Sequence, residues 1–225
     1  QPCVSSDGKI LFFSSNRDGG FGGSDIWMSK KQNNSWGKPV NLGPKINTSG
    51  DEYTPFLHYD NKTLYFASKG HAGFGGFDLY VAQLDTFSNI KYVTNLGYPI
   101  NTHHDESGLI VSKDGRNAYY NSNMRGNLDI YSFQLPYEFK ANPVSILDCL
   151  VLDSISRKPV ICDVSIVGLN DNFKLNLKTD ESGRFSISVP LELEFSITTF
   201  SNNHDYFNSS YMFLKNESLK NIEIL

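Results

Sequence analysis

The chain has 225 residues, room for one large or two modest domains, each with its own core. The formal charge is −4 and the basic residues are scattered, which argues against a nucleic-acid binder; no apolar run reaches the ~18 residues of a membrane span. Aromatics at 13%, with 18 Gly and 9 Pro, suit many short strands joined by tight turns, and no stretch has the period of an amphipathic helix, so the expected class is all-β.

In chain order, one unit appears three times. Asp7-Gly8-Lys9 recurs as Asp60-Asn61-Lys62 and as Asp114-Gly115-Arg116, at offsets of 53 and 54 residues. Phe12-Phe13 recurs as Tyr65-Phe66 and Tyr119-Tyr120. The segment from Gly20 to Trp27 (GFGGSDIW) recurs from Gly73 to Tyr80 (GFGGFDLY), and in the third copy only Asp129-Ile130-Tyr131 survives, after a shortened loop. Asn41-Leu42-Gly43 with Asp51-Glu52 returns as Asn95-Leu96-Gly97 with Asp105-Glu106. A period near 50 residues holding four strand signals is the mark of a propeller blade. The second copy shows the pattern: an inner strand over 53–59, then strands over 63–68, 77–83 and 90–96.

The run SSDGKILFFSSNRDGGFGGSDIW resembles the TolB-like propeller repeat. That resemblance makes Asp25, Asp78 and Asp129 intra-blade hydrogen-bonding staples, in keeping with the need to pair any buried carboxylate. Residues 1–136 are thus expected to form three four-stranded blades. Since a ring takes about 4–8 blades, upstream blades are expected outside this chain. The first blade would turn Ile10, Phe12, Ile26 and Trp27 towards them.

Residues 137–143 read as a linker or a swapped outer strand, and from Val144 the spacing changes. The order Val151-Leu152-Asp153, Pro159-Val160, Val164-Ser165-Ile166 and TDESGRFSISVP (179–190) resembles the carboxypeptidase-regulatory-like β-sandwich, expected over 144–225. In that turn Gly183 supplies a positive φ and Phe185 plugs the core. Cys149 and Cys162 flank the turn 153–158 and would lie opposite each other in a hairpin, either as a disulfide or as two buried thiols.

No nucleophile–base pair, metal-ligand spacing or phosphate loop is present, so the expectation is no catalytic residue, no metal and no cofactor. His103 and His104 precede Asp105-Glu106, but the first copy has Ser49-Gly50 before Asp51-Glu52; the repeating feature is the acidic pair, expected to accept backbone hydrogen bonds. Blade topology places Arg17, Asp18, Phe21, His71, Phe74 and Arg125 on one face with His103 and His104. Phe21 and Phe74 are there either exposed anchors for a protein or glycan, or plugs between blades.

Propeller followed by sandwich resembles the multidomain envelope lipoproteins of the type IX secretion system, whose further domains include an OmpA-like peptidoglycan-binding one. The resemblance implies a non-catalytic scaffold, periplasmic and associated with the outer membrane. It implies protein partners in the envelope and a peptidoglycan contact through a domain outside this chain. A glycan or peptidoglycan-fragment binding module is the first alternative, and the propeller part of a peptidase with its hydrolase domain elsewhere is the second.

Overall fold

A computed structural model describes the chain except residues 33–34, 87–88, 170–172, 202–203, 213–218 and 225, with backbone alone for 86, 204–212 and 219–221. It divides into two compact units, Gln1–Asn142 and Pro143–Leu225. All regular structure among the described residues is strand, apart from one 3-10 turn. No helix there is long and apolar enough to cross a membrane.

In the first unit, β1 (Pro2–Val4), β2 (Ile10–Ser15), β3 (Asp25–Gln32), β4 (Ser35–Trp36) and β5 (Val40–Asn41) form one antiparallel sheet. β6 (Glu52–Leu57), β7 (Thr63–Ser68), β8 (Asp78–Thr86) and β9 (Asn89–Asn95) form the second, a four-stranded meander within three residues of the expected bounds. β10 (Glu106–Val111), β11 (Asn117–Ser122) and β12 (Asp129–Gln134) form the third. These meanders are consistent with propeller-like blades. The third sheet has no fourth strand among the described residues. The positive-φ turn that reverses each first hairpin is held by Gly8, Asn61 and Gly115 in turn.

The sheets stack through alternating side chains, since one face of each strand points to each neighbour. Ile10, Phe12, Ile26 and Met28 pack with Leu57, Leu64, Phe66 and Tyr80 of the second sheet. Tyr65, Ala67, Leu79 and Val81, from the other face of that sheet, pack with Leu109, Val111, Ala118 and Tyr120 of the third. This corrects the expected outer set of the first sheet. Ile10, Phe12 and Ile26 face inward, and the opposite alternation (Leu11, Phe13, Trp27) faces away, because side chains two apart share a face and neighbours do not.

The stretch 137–142 is no free linker. Its 3-10 turn, Tyr137–Phe139, brings Phe139 against the second and third sheets, and the Tyr65 hydroxyl donates to the Phe139 carbonyl at 2.7 Å. The Asn142 amide donates to Asp60 at 3.0 Å. The boundary therefore falls after Asn142 rather than after Pro136.

In the second unit, β13 (Val144–Val151) is flanked by β16 (Arg184–Pro190), antiparallel, and β19 (Leu219–Ile224), parallel. A second sheet has the order β15 (Lys174–Lys178), β14 (Asp163–Gly168), β17 (Glu194–Ser201), β18 (His204–Met212). One apolar cluster draws on both, with Leu147, Phe185 and Ile187 from one sheet and Val164, Ile166 and Phe195 from the other. The 179–185 turn forms as expected. Gly183 has φ 72°, a Cβ there would lie 2.5 Å from the Val151 carbonyl oxygen, and Asp180 accepts the Ser182 and Arg184 amides at 2.9 and 2.8 Å. Phe185 is buried.

The hairpin expected to set Cys149 opposite Cys162 does not extend that far, and of the two states left open the thiols are free and buried. The hairpin after β13 goes no further than the Leu152–Pro159 bridge and the Val160 amide bond to Val151. Both edges of β13 are already taken, so the chain crosses to the other sheet. Cys149 lies opposite Phe185 and Ile222, while Cys162 bonds through its amide to the Thr179 hydroxyl at 2.9 Å. Both are buried free thiols of one apolar cluster, Cys149 in β13 and Cys162 just before β14. Burial, with the Asp148 charge adding, pushes the Cys149 thiol up to about 12.

Candidate functional site

The loops between the second and third strands of each sheet interlock with the segments that enter the next sheet. Their geometry begins with the repeated carboxylates. Asp25 is buried; its Oδ2 accepts the Phe21 amide at 2.6 Å and the Asn41 side chain at 2.8 Å, and its Oδ1 accepts the Gly22 amide at 3.2 Å. Asp78 repeats this with the Phe74 and Gly75 amides at 2.9 and 3.3 Å on Oδ2, while its Oδ1 is buried without a hydrogen-bond partner. Burial raises the Asp78 carboxyl above its usual range, the two amides oppose this, and the Glu106 charge adds to it.

The acidic pair works in the same way. Glu52 is fully buried and accepts the Thr48 amide at 2.9 Å, the Thr48 hydroxyl at 2.7 Å and the Ser68 hydroxyl at 2.7 Å. Glu106 accepts the equivalent groups of Thr102 and Ser122 at 3.0, 2.6 and 3.2 Å. Asp51 takes the Ser24 amide and Asp105 the Phe77 amide, each at 2.8 Å. Every one of these six carboxylates thus holds backbone or hydroxyl donors, and among the described residues no group of three or more His, Cys, Asp and Glu is arranged to hold a metal.

Asp129 departs from the expected pattern and is solvent-exposed. In the third copy Asn123-Met124-Arg125-Gly126-Asn127-Leu128 replaces the Gly-Phe-Gly-Gly loop. The amides that Asp25 and Asp78 bind have no counterpart there.

A network that the sequence reading missed braces the same loops. Buried Asn47 accepts the Ile26 amide at 2.7 Å and donates to the Ile26 carbonyl at 2.9 Å, as a neighbouring strand would. Asn101 does the same to Leu79 at 2.8 and 2.9 Å. The repeated Ile-Asn-Thr of 46–48 and 100–102 is the signal that could have found it.

On this braced platform the expected face residues sort into two groups. Phe21 is 51% exposed and Phe74 55% exposed, so both project into solvent rather than plugging the sheets. Their loops are fixed by close approach: a Cβ on Gly22 would sit 2.1 Å from the Gly50 carbonyl oxygen, and one on Gly75 would sit 2.5 Å from that of His104. Asp18 and His103 are also exposed, and the His103 ring lies 3.9 Å from that of half-buried His104.

Arg17, His71 and Arg125 are instead turned onto the protein. The Arg17 guanidinium lies 4.7 Å from the Phe13 ring centre and 5.4 Å from that of Trp27; that of Arg125 lies 5.9 Å from Tyr131. The His71 Nε2 lies 2.9 Å from the Ile46 carbonyl oxygen, and its ring is tilted against that of Tyr80, with centres 5.1 Å apart.

No family model and no curated protein matches this sequence. Among solved structures, the chain is similar to TolB from Acinetobacter baumannii, at 14% identity and a TM-score of 0.45 over 97% of this chain. It is similar to a putative TolB from Agrobacterium tumefaciens, at 15% identity and a TM-score of 0.44 over 96%. It is also similar to an alpha-L-arabinofuranosidase from Lactobacillus brevis, at 15% identity and a TM-score of 0.42 over 96%. The chain spans 46%, 67% and 74% of those three proteins, respectively.

Proposed function

We propose that this chain is a non-catalytic scaffold of the cell envelope whose loop rim, in the first unit, binds a protein partner. The finer reading takes that unit as blades of a TolB-like propeller and the second as a carboxypeptidase-regulatory-like sandwich. Together they would belong to an outer-membrane-associated, peptidoglycan-anchored component of the type IX secretion system. The motifs GFGGSDIW, GFGGFDLY and TDESGRFSISVP support it. The observation that carries the binding role is the pair Phe21 and Phe74. They stand at equivalent positions of adjacent repeats, exposed, on loops whose backbone is locked by buried carboxylates. Exposed aromatics on a rigid platform lose little entropy when they dock, which is the character of an interface hot spot.

The test is site-specific photo-crosslinking in cells that produce the protein, with the probe at position 21 or 74. The expected result is a crosslink to one or two discrete envelope proteins, and none from a probe at exposed Phe200 in the second unit. Hydrolytic turnover by the purified chain, or silent probes at both rim positions, would refute the reading.

A further inference from the structure

The rim has a charge of its own. The segments 16–25, 43–52, 69–78, 97–106 and 123–129 contain eight Asp and Glu but only four Lys and Arg. The whole chain has 24 acidic and 20 basic residues, so sixteen of each lie elsewhere and the full net charge of −4 resides in these five segments. They are contiguous in space. The Gly23 amide bonds the Gly50 carbonyl at 3.0 Å, the Lys69 amide the Asp51 carbonyl at 3.0 Å, the Gly76 amide the His104 carbonyl at 3.2 Å, and the Asp105 amide the Asn123 side chain at 3.1 Å.

The four bases of the rim are already engaged. Arg17 and Arg125 lie over Phe13, Trp27 and Tyr131; the Lys69 Nζ is 4.3 Å from the centre of the Phe77 ring, and the Lys45 Nζ donates to the Ile90 carbonyl at 2.6 Å. Phe21 and Phe74 carry no such cation among the described residues; Asp18 is exposed in the loop of Phe21, and Asp129 is exposed at the end of the 123–129 segment.

We infer that the rim recognises a cationic polypeptide segment, in which Lys or Arg side chains lie over Phe21 and Phe74 within the negative field of the rim carboxylates. This rests on reading the rim as a protein-binding surface, and names the chemistry of the partner. A ring face attracts a cation, and a concentrated patch of one sign steers the opposite sign towards it. An uncharged glycan would draw on the rings but gain nothing from the carboxylates, and an anionic polymer would be repelled.

The experiment uses the whole chain and fluorescence polarisation of three labelled probes: a peptide of alternating Lys and Leu, the same peptide with Glu for Lys, and a neutral oligosaccharide of N-acetylglucosamine. The Lys peptide should bind, weaken several-fold between about 0.05 and 0.5 M salt as charges are screened, and outcompete the other two. Phe21→Ser with Phe74→Ser, which leaves every charge in place, should weaken it roughly tenfold. Asp18→Asn with Asp129→Asn should flatten its salt dependence. Both double variants alter exposed side chains, so their melting should match that of the parent. Equal binding of the Glu peptide, salt-independent binding of the oligosaccharide in preference to the Lys peptide, or undiminished binding by the double Phe variant would overturn the inference. Crosslinks from positions 21 and 74 without any binding of the Lys peptide would overturn the cationic partner and leave the scaffold reading intact; loss of both would sink both.

Discussion

Replacing Glu52 by Ala removes a fully buried carboxylate that joins three donors: the Thr48 amide, the Thr48 hydroxyl and the Ser68 hydroxyl, at 2.9, 2.7 and 2.7 Å. Hydrogen bonds to an ionised acceptor contribute about 1.5–3 kcal/mol each, but hydroxyls can rotate to other partners and Thr48 is only half-buried. The net loss should therefore fall near 3–5 kcal/mol, a large part of the roughly 5–15 kcal/mol that holds a domain folded. Glu52→Gln keeps one oxygen for the two hydroxyls and turns an NH2 group towards the Thr48 amide, so it should cost about 1–3 kcal/mol. Glu106→Ala should cost less than Glu52→Ala, since the Ser122 bond is the longer at 3.2 Å. Urea unfolding followed by Trp emission is the assay. The two Trp residues, Trp27 and Trp36, both lie in the first sheet, so the signal reports the first unit. A Glu52→Ala midpoint equivalent to less than about 1 kcal/mol of loss would refute the reasoning, because the three donors would then have needed no carboxylate.

Three further outcomes are expected. Burial pushes Asp60 up, but hydrogen bonds from His58, Lys62 and Asn142 and the charge of His58 outweigh it, bringing the carboxyl from 3.8 down to about 2. Its folded value lies below its unfolded one, so it stabilises above about pH 4 and that contribution is lost as pH falls through about 2; urea melts across this window should show the parent losing about 2 kcal/mol more than Asp60→Asn. Gly75→Ala places a Cβ 2.5–2.6 Å from three backbone atoms of 102–104, so it should lower the melting temperature of the first unit and weaken any ligand of Phe74, while Ala at exposed Gly126 would meet no atom within 4 Å and cost only the strain of φ 90°. The thiols of Cys149 and Cys162, both raised by burial, should resist iodoacetamide at pH 8 in the native protein and react fully in urea, as read by intact mass; a mass lacking two protons before treatment would show a disulfide instead.

Much of the architecture was legible because it depends on local chemistry. The turns at Gly8, Asn61 and Gly115 need a positive φ, and the aromatic pairs that follow need a strand; neither requires knowledge of distant residues. The staple role of Asp25 and Asp78, which the resemblance implied, is also local, since each binds amides only three or four residues away. What depended on distant partners was not. Asp129 keeps the motif letter but loses its loop, so the repeat alone overstated its role. Asn47 and Asn101 act on strands 21 and 22 residues away, and only the folded chain brings them there.

The amino-acid sequence by itself determined the all-β class, the repeat period, the acidic pairs that grip backbone donors and the Gly183 turn. Tertiary structure alone decided which alternation of β2 faces inward, because a strand offers two faces and only the neighbouring sheet selects one. It took Cys149 and Cys162 off adjacent strands, because β13 already had a partner on each edge and the chain after the turn had to cross to the other sheet. It also decided that Phe21 and Phe74 stand in solvent. Glycines at 22 and 75 let the loops lie flush against the backbone of 48–50 and 102–104, and the rings at 21 and 74 are left largely exposed.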